Sequence, residues 1–340
     1  MKKTLSRISI VLAMICSIFL TACGNGNNET NGKTGEATYV FKLGHVTQES
    51  HVWHQTALKF GEELEKLSNG RMKLQIYPAS QLGQEKDMVQ QLETGSLDFG
   101  FLTNAYMSTR QQSLNAWFMP FVFPNLEEAS KMRNSTVAGE MLEELKSQGL
   151  IGFDFIFAGN RHVLMKDGFV NSPNDVKGKK VRIIGSPVMQ DFWKEIGAGP
   201  TAMPLSEVYT SLQTGVIDGV DIDLDALVTE KYYENAKYLT ITNHMTFPAV
   251  VVMSKQKFDS LSPEDQEIIK KALKTACDWG VKEAIARETK NLETLKSAGV
   301  QVQQLEQLGD FEKVAKEIQE KYAHESPVIK KFLEEALQKK

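Results

Sequence analysis

Apolar and polar positions change their period several times along the chain, and the changes divide it into elements. Tyr39-Val40-Phe41-Lys42-Leu43 reads as a strand. Trp53, Ala57, Phe60, Leu64 and Leu67 then recur every three or four residues, the spacing of one buried helical face from about Ser50 to Leu67. Asn69-Gly70 supplies the turn that stops this helix, and Met72 to Tyr77 reads as a second strand. Strand, helix, strand is α/β order. Ser262-Pro263-Glu264-Asp265 marks a later helix start, with a Ser able to cap, Pro at the first helical position and acids facing the positive end of the helix dipole. Nothing interrupts the chain until Ala298-Gly299, so about 35 residues at 1.5 Å each predict a helix on the order of 50 Å, longer than a small domain is wide. It is expected to cross two lobes, with Gly280 midway as a bend or a close-packing site.

A pseudo-repeat supports two lobes. Leu92-Glu93-Thr94-Gly95-Ser96-Leu97-Asp98 and Leu212-Gln213-Thr214-Gly215-Val216-Ile217-Asp218 share four of seven positions. In each copy an amphipathic helix (Glu85 to Glu93, Glu207 to Gln213) stops at a Gly able to take positive φ, and a short strand follows. Helix-Gly-strand grammar could converge on this pattern; the alternative is two homologous lobes, each with its own α/β sheet.

The first segment has a different character. A basic stretch (Lys2, Lys3, Arg7), an apolar run from Ile8 to Leu20 and then Thr21-Ala22-Cys23 form a secretion signal whose apolar part is too short for a permanent membrane span. It resembles a bacterial lipoprotein signal, which implies cleavage after Ala22 and lipid anchoring through Cys23, placing the body outside the cell membrane. Residues 24–36 hold no large apolar side chain and are rich in Gly and Asn, so residues 23–37 read as a lipid anchor and flexible tether.

Composition narrows the picture further. The chain has 340 residues, 41% hydrophobic and 24% charged, enough for two ordinary domains and incompatible with disorder. The formal charge is −4 with both signs interspersed, so no basic face is offered to nucleic acid. Cys16 leaves with the signal, Cys23 carries lipid and Cys277, in an apolar-periodic helix, reads as a buried inert thiol.

Catalytic motifs are missing. His51-x-x-His54 has a spacing that could put two ligands on one helical face, but no third accompanies it, and HExxH, CxxC, GxSxG and the phosphate-cradling glycine loop do not occur. Asp221-Ile222-Asp223-Leu224-Asp225 begins like an EF-hand, yet Ala226 stands where the turn glycine belongs and Tyr232 where the bidentate Glu belongs. If that run is a strand, its three carboxylates share one face. Two arginines carry a sharper signal. Arg161 follows Phe155-Ile156-Phe157-Ala158-Gly159-Asn160 and Arg182 lies in the apolar run Val181 to Ile184, so each guanidinium starts among hydrophobic neighbours and needs an anion. That anion is either a ligand carboxylate, gripped by a planar donor fork, or an internal Asp or Glu.

Longer motifs give a family resemblance. Asp175-Val176-Lys177-Gly178-Lys179-Lys180-Val181-Arg182, then Gly197-Ala198-Gly199-Pro200-Thr201-Ala202-Met203-Pro204-Leu205-Ser206-Glu207-Val208-Tyr209, then Leu212 to Gly219 resemble the signature of the solute-binding proteins of TRAP transporters, the DctP type. Tyr77-Pro78-Ala79-Ser80-Gln81-Leu82-Gly83, Gly95-Ser96-Leu97-Asp98-Phe99 and Ser262-Pro263-Glu264-Asp265 fit the same family, and the resemblance covers about residues 38–330 in order. It implies an α/β, two-lobed type II periplasmic-binding-protein fold with a long helix crossing both lobes. The boundaries expected are 38–158 plus 248–287 for lobe I and 159–247 plus 288–340 for lobe II, after a signal at 1–22. It implies no enzyme and no cofactor, a small organic acid as ligand, and the small DctQ-type and large DctM-type permease subunits as partners. By resemblance Arg182 grips the ligand carboxylate, Arg161 supports it, and further contacts fall near His45, Thr103, Tyr106, Gly185, Leu205 and Asp221. The sialic acid branch carries an acid and an arginine where Thr103 and Tyr106 stand and an asparagine where Ile222 stands, which disfavours that ligand. A C4-dicarboxylate is the expected ligand, with a sugar acid such as a uronate or aldonate as the alternative. A ligand sensor for a signalling receptor would use the same pocket.

Overall fold

The computed structural model describes residues 39–338, so the expected signal, Cys23 and the tether lie outside the described residues. Eleven strands are described: β1 (Tyr39–His45), β2 (Met72–Tyr77), β3 (Phe99–Thr103), β4 (Leu150–Asn160), β5 (His162–Met165), β6 (Lys180–Ile183), β7 (Gly199–Ala202), β8 (Gly219–Ile222), β9 (Tyr238–Ile241), β10 (Thr246–Ser254) and β11 (Gln301–Gln304). They form two sheets, ordered β2-β1-β3-β10-β4 and β11-β9-β5-β8-β6-β7. In the first, β1 runs parallel to β2 and β3 while β10 is antiparallel to β3 and β4; in the second, β6 runs parallel to β7 and β8. Every residue of β10 is buried, as its unbroken run Phe247-Pro248-Ala249-Val250-Val251-Val252-Met253 requires of a strand covered on both faces.

The pseudo-repeat is a structural repeat. Gly95 (φ 72°) and Gly215 (φ 76°) each end a helix in the left-handed conformation, and their N–H groups donate to Leu92 and Leu212 carbonyls respectively. Leu97 and Ile217 are then fully buried. Asp98 accepts from the Lys42 backbone N–H at 2.8 Å and Asp218 from the Lys180 N–H at 2.7 Å, so each copy ties its helix-strand turn to the neighbouring parallel strand. This is the two-lobed type II arrangement, two sheets of the same plan in one chain.

Three connections join the sheets. β4 passes into β5 through Arg161 alone, β9 returns to β10 through residues 242–245, and the long helix Pro263–Ser297 spans both sides. Its start is capped as the sequence predicts, Ser262 Oγ accepting from Asp265 N–H at 3.1 Å. Leu273, Ala276, Cys277 and Ala284 join the larger apolar cluster, and Leu295 the second, built on Leu164, Val208, Leu212 and Val220. Gly280 is a packing site, since a Cβ there would lie 2.4 Å from Thr56 Oγ1 of the first helix, Val52–Leu67. Cys277 is buried, and burial pushes its thiol well above the usual range.

The C-terminal helices divide between the halves. Asp310–Glu325 meets the helix Pro187–Glu195 of the second half, where Tyr322 Oη donates to Asp191 at 2.9 Å. Pro327–Gln338, grouped with lobe II in the sequence reading, instead lays Phe332 against Trp117 and Phe123 of the first half, ring centres 5.0 and 6.0 Å away. An amphipathic helix goes where its apolar face finds cover, and Phe332, Ile329 and Leu333 find it there. No described helix is long and apolar enough to cross a membrane.

Candidate functional site

A cavity of about 340 Å³ lies between the two sheets, within the range of small-ligand pockets. Its walls come from the carboxyl ends of parallel strands, where an α/β sheet leaves side chains and loops free to bind. Val46 and Thr47 follow β1, Thr103 ends β3, Ile184 and Gly185 follow β6, Met203, Pro204 and Leu205 follow β7, and Ile222 and Asp223 follow from β8. His51 and Trp53 from the start of the first helix, Gln84, Glu85 and Lys86 from the start of the helix Glu85–Glu93, and Tyr106 and Phe247 complete it.

Arg182 is fully buried in β6, which lies between β8 and the edge strand β7 of the second sheet. Its Nε and Nη2 donate to the Met203 carbonyl at 3.2 and 2.9 Å, while Nη1 has no hydrogen-bond partner among the described residues. Burial pushes its pKa down to about 10, and it carries its charge with no carboxylate bonded to it among the described residues. A buried cation with an unsatisfied N–H, on a cavity wall, calls for an anion with two acceptor oxygens.

Arg161 is spent differently. Nε donates to Asp221 Oδ1 at 2.5 Å, Nη1 to Asp223 Oδ2 at 3.1 Å, and Nη2 to the Asp221 carbonyl, with the guanidinium 4.2 Å from the centre of the Phe247 ring. The internal acid is thus its partner, and its edge still lines the cavity. Asp221 itself does not line the cavity. Besides Arg161 it accepts from Trp193 Nε1 at 2.7 Å and faces His244 Nε2 at 3.0 Å, and although burial opposes charge, Arg161 and His244 hold its carboxyl well below the usual range. The three carboxylates of the 221–225 run do not share a face, because β8 ends at Ile222 and Asp223 caps the helix Leu224–Thr229, accepting from Ala226 N–H at 2.8 Å. Asp225 turns away to take N–H donors from Val52 at 2.7 Å and Asn291 at 2.9 Å.

Of the other expected contacts, Tyr106, Gly185, Leu205 and Thr103 line the cavity and His45 does not. His45 is buried behind it, its Nε2 3.1 Å from His54 Nδ1 and its Nδ1 3.0 Å from Thr47 Oγ1, and burial together with the two neighbouring histidines lowers its pKa to about 3. His45 continues the buried face of β1 set by Phe41 and Leu43, four and two residues before it, and the cavity wall begins with the residues that follow the strand, Val46 and Thr47. Thr103 is on the wall with its hydroxyl committed: it donates to Glu85 Oε2 at 2.9 Å and accepts from Tyr106 N–H at 3.1 Å. His51 and His54 diverge, His51 toward Asp225 and His54 toward His45, and no group of three His, Cys, Asp or Glu able to hold a metal occurs among the described residues.

Glu85 was not legible as a site residue. It accepts from Thr103 N–H at 2.6 Å as well as the hydroxyl, and burial lifts its carboxyl to about 7. In the sequence it reads as one more acid in a helix's first turn. The only available signal was that its helix begins straight after the Tyr77 to Gly83 motif, which places that first turn at a strand's carboxyl end.

The model of the DctP family, bacterial extracellular solute-binding protein family 7, matches residues 43–326. The 2,3-diketo-L-gulonate-binding periplasmic protein YiaO of Escherichia coli is 30% identical over 78% of this chain and 81% of its own. The C4-dicarboxylate-binding periplasmic protein DctP of Rhodobacter capsulatus is 29% identical over 76% of this chain and 78% of its own. A TRAP periplasmic solute-binding protein from Bradyrhizobium, solved in complex with galacturonate, superposes with a TM-score of 0.82 at 28% identity, covering 87% of this chain and 98% of that one.

Proposed function

The chain belongs to the DctP family of extracellular solute-binding proteins, and from that premise we propose that it is the receptor of a TRAP transporter for a polyhydroxylated monocarboxylate, a sugar acid of the uronate or aldonate kind. The observation that carries this is Arg182 Nη1, a buried guanidinium donor without a partner among the described residues, on the wall of the cavity between the lobes. A carboxylate there satisfies the donor and neutralises the charge. The rest of the wall suits hydroxyl groups. Glu85 and Asp223 offer carboxylate acceptors and Trp53, Tyr106 and Phe247 offer apolar ring faces, the usual partners of a sugar's hydroxyls and its C–H surfaces. Arg161 is neutralised by its own acids, so a second ligand carboxylate would meet Glu85 and Asp223 with only the exposed Lys86 to offset them.

This order reverses the expectation from sequence, in which a C4-dicarboxylate came first. Lys86 is the one feature of the wall that favours a dicarboxylate. Closure of the lobes over the ligand would mark the occupied receptor for the DctQ- and DctM-type permease subunits, with lipid at Cys23 holding the body near the membrane. The test is a thermal-melt screen of the purified chain against D-galacturonate, D-glucuronate, D-galactonate, succinate and malate. A ligand at about 100 times its Kd adds roughly 2.7 kcal/mol, several degrees for a protein of this size. A shift with a sugar acid is expected. Shifts confined to succinate and malate would replace this reading with the dicarboxylate one.

A further inference from the structure

Two of the buried side-chain donors that lack a partner among the described residues belong to cavity-lining residues: Arg182 Nη1 and Trp53 Nε1. They stand on opposite lobes, Arg182 on β6 of the second sheet and Trp53 in the first turn of the helix Val52–Leu67. We propose that the indole N–H of Trp53 is a ligand contact, a neutral donor from the first lobe that takes a hydroxyl, ring or oxo oxygen of the acid whose carboxylate sits on Arg182.

The indole cannot find an acceptor within its own surroundings. It is 1% exposed, stacked 6.1 Å from the Phe247 ring and edge-on to His51 at 5.2 Å. His51 offers nothing, because its Nδ1 already accepts from the Trp53 backbone N–H at 3.1 Å, which puts the imidazole proton on Nε2, the nitrogen facing Asp225. The backbone is equally fixed, since Val52 N–H is held by Asp225 across the lobes at 2.7 Å. Trp193 shows how this protein treats an indole N–H that serves structure: it donates to Asp221 at 2.7 Å. Trp117 Nε1 also lacks a partner, but it sits in an aromatic cluster away from the cavity, so for Trp53 the position on the wall is the second and deciding fact.

One donor on each lobe gives the cavity a length requirement. An acid whose oxygens lie only at its carboxylate satisfies Arg182 and leaves Trp53 unpaired, whereas a sugar acid satisfies both, and only with the lobes together. Trp53 thereby selects ligands with an acceptor oxygen at the far end and links its recognition to closure.

The inference rests on the sugar-acid reading, and the experiment separates the two. The probe is D-galacturonate, titrated into ¹⁵N-labelled protein while the indole N–H signals of its 4 tryptophans are followed. The Trp53 signal, identified as the one missing from Trp53→Phe, is expected to move downfield on saturation. By calorimetry Trp53→Phe should bind about 10-fold more weakly, the cost of leaving one acceptor of the buried ligand unpaired. If Trp53→Phe does not fold, replacement of Trp53 by benzothienylalanine removes the N–H with the ring shape kept and serves both measurements. An unmoved Trp53 indole at saturation, or affinity within twofold of the parent, overturns this inference and leaves the carboxylate site on Arg182 standing. Failure of the parent to bind D-galacturonate, D-glucuronate or D-galactonate overturns the sugar-acid reading and this inference together.

Discussion

Replacing Arg182 by methionine should separate binding from stability. The guanidinium is fully buried, and its pKa falls from 12.5 to about 10 because burial penalises the charge. At 1.36 kcal/mol per pKa unit, holding this buried charge without a carboxylate partner costs about 3 kcal/mol. Methionine removes that cost, fills most of the volume, and forfeits two hydrogen bonds to the carbonyl of the half-buried Met203, a loss of about 1 to 3 kcal/mol. The balance is no loss and up to about 2 kcal/mol of gain, with opening of the lobes and hydration of the arginine moving the figure toward zero. Binding behaves otherwise, since losing one member of a desolvated charge pair costs about 2 to 5 kcal/mol, a factor of roughly 30 to several thousand. Scanning calorimetry of the empty proteins and titration with D-galacturonate check the two halves. An empty Arg182→Met protein melting more than about 5 °C below the parent would refute the energetic argument. Retained affinity would refute the site.

Three further predictions follow from neighbouring groups. Glu85, lifted by burial to about 7 from 4.5, binds its proton more tightly folded than unfolded, so the stability it contributes is complete below pH 4.5 and is lost as pH rises toward 7; Glu85→Gln should flatten the fall in melting temperature over that window, and parallel curves would show that Glu85 is not the group responsible. Asp221→Asn leaves Arg161 with Asp223 as its remaining carboxylate, which should cost about 3 to 5 kcal/mol, read as a drop of roughly 10 °C in melting. Because the Asp221 carboxyl is held below its ordinary 3.8, that contribution is present throughout the pH range above 3.8 and disappears only as pH falls through the lowered value. Gly280→Ala forces a methyl group to within 2.4 Å of Thr56 Oγ1 and should destabilise by about 1 to 3 kcal/mol in urea titration, whereas a simple helix bend at Gly280 would make alanine neutral or better.

What the sequence disclosed and what it hid follow from the range of the forces involved. Met72–Tyr77, the helix Val52–Leu67 and the 35 residues of the long helix were legible because period, caps and turn glycines act within a few residues. The lobe repeat was legible for the same reason, down to the aspartates that follow Gly95 and Gly215. Arg182 could be picked out as a charge in an apolar strand. Its partner could not, and the two arginines that looked alike in sequence part company only in space, Arg161 satisfied by Asp221 and Asp223 and Arg182 by no carboxylate among the described residues. The 221–225 run carries the same lesson. Alternating acids read equally well as one strand face or as a strand that ends and caps a helix, and the second outcome is decided by Arg161, some sixty residues away, pulling Asp221 and Asp223 to one guanidinium. His45 and Glu85 complete it: one is a polar residue at a strand end that turns inward, the other an ordinary first-turn acid that the Thr103 amide and hydroxyl hold against the cavity. Which polar groups remain free for a ligand is therefore set by what the others have already consumed, a sum over contacts between distant segments that no local pattern encodes. In this fold that sum leaves one cation on the second lobe and one indole on the first, each with an unpartnered N–H, among the residues that line the same 340 Å³.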